Sequence, residues 1–192
     1  MMNPSKSRKP EIKSGIKIII ISIILIAVDQ ISKSIVVSNL KGRDPLAVVD
    51  GVFELYYYEN PFAAFNFGKQ FSSVFLILVL ILTAVFCGFL IYIAFRIPSE
   101  KKYRILRIVV ILFLAGAMGN YIDRIFHHYV IDFLYFVLIN FPIFNIADIY
   151  VVTGAVLFIC SVIFRGSLYD DLFPGRKKKK AENEGTDNES DE

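Results

Sequence analysis

The sequence predicts a membrane α-helical fold, with four transmembrane helices and a small β-sheet outside the bilayer, and three observations carry that prediction. Of the 192 residues, 55% are hydrophobic and the mean hydropathy is +0.56, values unusual for a soluble domain. Residues 15–37, 74–95, 105–121 and 145–164 form apolar stretches close to the roughly twenty residues that a helix needs to cross a bilayer. Lys and Arg collect at alternate junctions between those stretches, as retention of basic residues in the cytoplasm requires.

Before the first span lie Lys6, Arg8, Lys9, Lys13 and Lys17; between the second and third lie Arg96, Lys101, Lys102, Arg104 and Arg107; after the fourth come Arg165, Arg176 and Lys177 to Lys180. Segments 38–73 and 122–144 are poorer in basic residues, holding Lys41, Arg43, Lys69 and Arg124 beside several acids. Both termini are therefore expected in the cytoplasm and both of those segments outside. The chain divides into a basic N-terminus (1–14), a four-span domain (15–165) and a charged tail (166–192) whose GRKKKK and AENEGTDNESDE runs are expected to be disordered. The net charge of +3 follows from topology, and no basic patch with interleaved aromatics points to nucleic acid. The first span resembles the core of a signal peptide, but its length and the lack of an A-x-A-like site favour an uncleaved helix.

In the first span, AVDQISKSIV places Asp29 and Lys33 one turn apart on one face, as an ion pair locking the helix end or bracing a neighbouring site, with Lys33 able to snorkel outward. The first outer segment reads LAVVDGVFELYYYEN, two β-prone runs flanking Asp50-Gly51, which predicts a two-residue hairpin with positive φ at both turn positions. Tyr56, Tyr57 and Tyr58 suit the membrane interface. In ENPFAAFNFGKQ, Asn60 precedes Pro61, and the pair Ala63-Ala64 permits close approach of backbone or ligand.

In the third span, Ala115 and Gly119 form a small-residue face for helix packing. Asn120, Asp123 and Arg124 follow at helical spacing, so their side chains converge; a salt-bridged helix end accounts for Asp123 and Arg124 but less well for Asn120. In HHYVIDFLYFV, Asp132 lies in a run suited to burial, where desolvation raises a carboxyl pKa. The fourth span opens with Asn145 at the N-cap and Asp148 at the third helical position, which capping alone could explain. Asp132 and Asp148 nevertheless flank one short outer segment and can reach one spot. Cys87 and Cys160 lie inside spans and read as small hydrophobes, and His127 and His128 have no metal-ligand spacing with Cys or Glu. No serine or cysteine nucleophile arrangement stands out, which leaves a carboxylate pair.

These residues resemble the lipoprotein signal peptidase family, signal peptidase II. The matching blocks are DQISK (Asp29, Lys33), NPFAAF (Asn60, Ala63, Ala64, Phe65), GAMGNYIDR (Gly119, Asn120, Asp123, Arg124), VIDF (Val130, Asp132, Phe133) and FPIFNIAD (Phe141, Pro142, Phe144, Asn145, Ala147, Asp148). Phe62 stands where the family usually has glycine and His128 where it often does, which bears on loop shape and substrate fit. The resemblance implies an aspartic endopeptidase of the bacterial inner membrane with an extracytoplasmic β-cradle formed by the first outer segment. It implies removal of the signal peptide from a diacylglyceryl-modified prolipoprotein, by a cut immediately before the lipidated Cys. Asp132 and Asp148 are then the catalytic dyad, sharing a proton and activating water near the outer face. Asn60, Asn120, Asp123, Arg124, Asn145, Asp29 and Lys33 line or support the site. The implied partners are that substrate and membrane lipids, with no cofactor or metal and a monomeric enzyme. A small ion transporter and a non-enzymatic scaffold are the alternatives that intramembrane acids leave open.

Overall fold

The computed structural model describes residues 12–61 and 72–165; Phe62, Ala63, Ala64 and Phe65, the first eleven residues and the tail after Arg165 lie outside the described residues. Four helices are long and apolar enough to cross a membrane: α1 (Ile12–Leu40), α2 (Ser72–Ala94), α3 (Arg104–His127) and α4 (Ile146–Arg165). In hydrocarbon a backbone must satisfy its own N–H and C=O groups, and an uninterrupted apolar helix does so within itself. Helix α2 carries no charged residue at all. Helices α1 and α3 run past the expected span limits, α3 by more than a turn beyond Tyr121, where Asp123 finds partners in α1 and β3.

Helix α3 is central and packs against the other three. At one end of the bundle Ile18, Cys87, Leu90, Ala94, Ile97, Tyr103, Val110 and Leu114 form an apolar core, next to the basic α2–α3 connection. The other end carries a three-stranded antiparallel sheet, β1 (Leu46–Val49), β2 (Phe53–Asn60) and β3 (Val130–Phe136), in that order. The hairpin between β1 and β2 is present, with a correction to its turn. Three residues link the paired Val49 and Phe53, only Gly51 among Asp50 and Gly51 has positive φ (68°), and Val52 N–H closes the turn on the Val49 carbonyl. The sheet is also larger than the first outer segment alone provides, since β3 comes from the second.

Strand β3 brings the acids together. Helix α3 ends at His127 and is capped by His128, a left-handed residue (φ 66°) whose N–H donates to the Arg124 carbonyl, the conformation that glycine adopts most readily. Asp132 then sits opposite Tyr58, and Val130 opposite Asn60, past a register shift between Leu55 and Tyr58. After a turn at residues 137–140 the chain returns, and Leu134 and Phe144 exchange backbone bonds of 2.8 and 3.1 Å. That bridge sets Asn145 beside Asp132 and starts α4.

Candidate active site

The site is built on a buried ammonium. Lys33 does not snorkel outward; it is buried, and its Nζ meets Asp29 Oδ2 at 2.9 Å, Asp123 Oδ2 at 2.8 Å and Asn120 Oδ1 at 3.1 Å. Three donors thereby find three acceptors, the condition under which a buried charge is tolerated. Asp29 Oδ1 also accepts the Ala147 N–H at the start of α4, and Asp123 Oδ2 accepts the Ile131 N–H of β3. The cluster therefore ties α1, α3, β3 and α4 together. Asp123 pairs with Lys33 rather than with Arg124, correcting the salt-bridged helix end read from the spacing.

Close backbone approach makes this geometry possible. A Cβ on Gly119 would lie 2.6 Å from Asp29 Oδ2 and 3.1 Å from the Ala147 Cβ, and one on Gly116 would lie 2.5 Å from the Ala147 carbonyl oxygen. Gln30 was not singled out from the sequence, although a polar residue within an apolar helix was signal enough. Its Nε2 donates to Asp29 Oδ2, the Gly119 carbonyl and Asp123 Oδ1 at 3.0–3.1 Å.

Asn120 connects that cluster to a second one. Its Oδ1 accepts from Lys33 and from Asn145 Nδ2 (3.0 Å), which turns its own Nδ2 toward Asp148 Oδ1 at 2.8 Å. Asn145 and Asp148 form a reciprocal cap: the Asp148 N–H donates to Asn145 Oδ1 (3.0 Å), and the Asn145 N–H donates to Asp148 Oδ2 (3.1 Å). Capping and a role in the site are thus compatible, because the fully buried Asn145 also sends Nδ2 to Asp132 Oδ1 at 2.6 Å. Asn60 Nδ2 donates to the other oxygen of Asp132 at 2.7 Å. Asn145 is therefore the shared neighbour of both acids. Among the described residues every buried side-chain nitrogen and oxygen has a partner.

Burial is the main influence on Asp132, which is 2% exposed: desolvation, with the nearby Asp148 charge, pushes its pKa up to about 7 against the pull of Asn60, Asn145 and Lys33. The raised value expected from the sequence is thus present. Arg124 donates through Nη1 to the Asn120 carbonyl at 3.3 Å and, with Asn120 and Asp148, lines one side of an open cavity of about 370 Å³. Apart from Thr83, its other walls are apolar, including Phe86 of α2, Gly116 of α3 and Val151 of α4. The described residues contain no group of three or more His, Cys, Asp or Glu side chains placed to hold a metal ion. What the arrangement offers is a carboxyl that holds a proton near neutral pH, a second carboxylate beside it, and an adjoining space for a substrate.

Comparison with known proteins converges on one family. A family model described as Signal peptidase (SPase) II matches residues 21–164. The chain is similar to the lipoprotein signal peptidase of Clostridioides difficile (strain 630), 35% identical over 146 residues that cover 76% of this chain and 94% of that protein. It is also similar to the lipoprotein signal peptidase of Shouchella clausii (strain KSM-K16), 35% identical over 148 residues covering 77% and 93%. Among solved structures, a bacterial membrane enzyme determined by the in meso method at 1.9 Å resolution superposes with a TM-score of 0.66 at 26% identity, covering 84% of this chain and 99% of that one.

Proposed function

The chain belongs to the signal peptidase II family, and on that premise we propose that it is an aspartic endopeptidase that cuts diacylglyceryl-modified prolipoproteins immediately before the lipidated Cys. The observation that supports this most is the pair Asp132 and Asp148, joined through one asparagine, with Asp132 titrating near neutral pH. Two close carboxylates do not both ionise readily, so one proton is shared near neutral pH.

We assign that proton to Asp132, the acid with the raised pKa, and the role of base to Asp148, which accepts hydrogen bonds from the Asn120 amide and the Asn145 N–H at the positive end of α4. Asp148 takes a proton from water as the water oxygen bonds to the scissile carbonyl carbon, while the Asp132 O–H hydrogen-bonds to the carbonyl oxygen. The carbon–nitrogen bond then breaks as the proton on Asp148 passes to the departing amine. Asn60 and Asn145 hold Asp132, Asn120 holds Asp148, and the cluster of Asp29, Lys33 and Asp123 fixes Asn120 and the start of α4. Arg124 lines the cavity where polar groups of the substrate would lie. The enzyme acts as a monomer with both termini in the cytoplasm, so that the sheet and the dyad face outward and water reaches them from that side.

The decisive measurement is release of the signal peptide from a lipidated prolipoprotein by Asp132→Asn and Asp148→Asn, prepared separately and shown to be folded. Each is expected to slow cleavage by at least about a thousandfold. Normal cleavage by either removes that residue from the dyad. For topology, a single cysteine at Leu46 should react with an impermeant reagent from outside intact cells and one at Lys102 only after lysis; the reverse pattern overturns the orientation.

A further inference from the structure

The turn between β3 and α4 is firmly held, yet it displays apolar side chains to the surroundings. Asn140 N–H bonds to the Val137 carbonyl, Phe141 N–H to the Phe136 carbonyl at 3.1 Å, and Tyr135 Oη donates to Asn140 Oδ1 at 2.7 Å. Phe144 stacks on Phe136 and packs edge-on against Phe141 beneath it. On this braced scaffold Leu138 and Ile139 are 70% and 67% exposed. The hairpin lies alongside, with Leu138 N–H reaching the Val52 carbonyl at 3.5 Å, and Leu46, Val48 and Val49 of β1 are also exposed. A rigid apolar tip facing water has no stabilising purpose in a soluble surface.

We propose that this tip, Leu138 and Ile139 with the neighbouring edge of β1, inserts into the outer leaflet and sets the depth at which the sheet rides on the bilayer. Two observations identify lipid as the occupant. No charged residue occurs from Phe133 to Ala147, so the chain from the sheet into α4 carries nothing that insists on water. The apolar surface is also continuous with that of the bundle: Phe141 is exposed, and after it come Ile149, Val152 and Val156 on the outer face of α4, a helix apolar enough to span. Because Asp132 lies on the strand that ends in the tip, insertion would fix the height of the acid relative to the headgroups.

The chain contains no tryptophan, so Leu138→Trp and Ile139→Trp each introduce a unique fluorescent reporter. In full-length protein reconstituted into phosphatidylcholine and phosphatidylglycerol vesicles, their emission is expected to be blue-shifted, strongly quenched by lipids brominated near the glycerol end of the acyl chains, and weakly quenched by aqueous acrylamide. Val85→Trp, on the outward face in the middle of α2, provides the reference for a deeply embedded position. Water-like emission quenched by acrylamide and not by brominated lipid, at both tip positions, overturns the proposal. So does blue-shifted emission that ignores brominated lipid and depends on protein concentration, which would place a second copy of the chain on the tip.

Discussion

Two pairs of carboxylates, buried except for the half-buried Asp148, lie at one end of this bundle, and they are partnered in opposite ways. Asp29 and Asp123 share the Lys33 ammonium, with their other lone pairs taken by backbone N–H groups and Gln30. Asp132 and Asp148 have amide partners, from Asn60, Asn145 and Asn120, and among the described residues no ammonium in contact. A cation fixes an acid as a carboxylate and makes it a fastening; neutral amides hold an acid in place while leaving it able to take up a proton. Asn120, bonded to Lys33 on one side and Asp148 on the other, is where fastening and chemistry meet.

The most drastic way to break this comparison is to remove the cation. Lys33→Met should leave two uncompensated carboxylates buried against each other and destabilise the fold by about 3–5 kcal/mol, measured as denaturant resistance in detergent. Adding Asp29→Asn to Lys33→Met should restore part of that loss by removing one stranded charge. Neither dyad substitution should approach this loss of stability. A stable Lys33→Met protein, or a double variant no better than the single one, would mean that the Lys33 cluster is not the fastening described.

The sequence disclosed one half of this arrangement better than the other. Helix α2 was legible because an unbroken apolar run has one solution in lipid, and the hairpin because Asp50-Gly51 needs a turn. The Asp29 and Lys33 pair was legible from its spacing, whereas the third partner, Asp123, came from another helix and was assigned to Arg124 instead. Local spacing ranks neighbours on one helix and is blind to a side chain arriving from α1. The same limit hid β3: VIDFLYF alternates poorly because most of it is buried on both faces, so strand pairing with β2 was not visible. The joining of Asp132 to Asp148 was anticipated from their shared flank, but its cause, the backbone bridge between Leu134 and Phe144, is a tertiary contact with no sequence period.

The contrast is sharpened by pH. With Asp132 titrating at about 7 in the fold and near 3.8 when free, the folded chain holds a proton that the unfolded chain has lost between those values. Stability linked to this group is therefore present below about 4 and declines as pH rises through about 7. Asp132→Asn abolishes that titration, so the difference in Tm between variant and parent should move in favour of the variant from pH 5 to pH 8, by the equivalent of a few kcal/mol, about 3. Cleavage by the parent should fall on the alkaline side of about pH 7 as the required proton is lost. A flat Tm difference would place the shared proton elsewhere.

The smallest effect is expected where a lysine and an acid meet outside the buried layer. Lys41 and Glu59 lie 2.9 Å apart, the same separation as Lys33 and Asp29, but their side chains are 53% and 43% exposed instead of 2% and 0%. Glu59 Oε1 also accepts from Tyr57 Oη at 2.7 Å and Tyr129 Oη at 3.1 Å, and the bond from Lys41 leads in holding its pKa below the usual range. The contribution of this depressed acid is present above its unfolded pKa and is lost as pH falls through the folded one. Water screens the charges and long side chains surrender entropy to meet, so separation alone decides little. Glu59→Gln should lower Tm by at most about 2–4 °C and leave cleavage within about twofold, even though Asn60, the next residue, holds Asp132. A loss of activity comparable to that of the dyad variants would show that the exposed pair governs the placement of Asn60, and that burial is not what separates fastening from ornament in this fold.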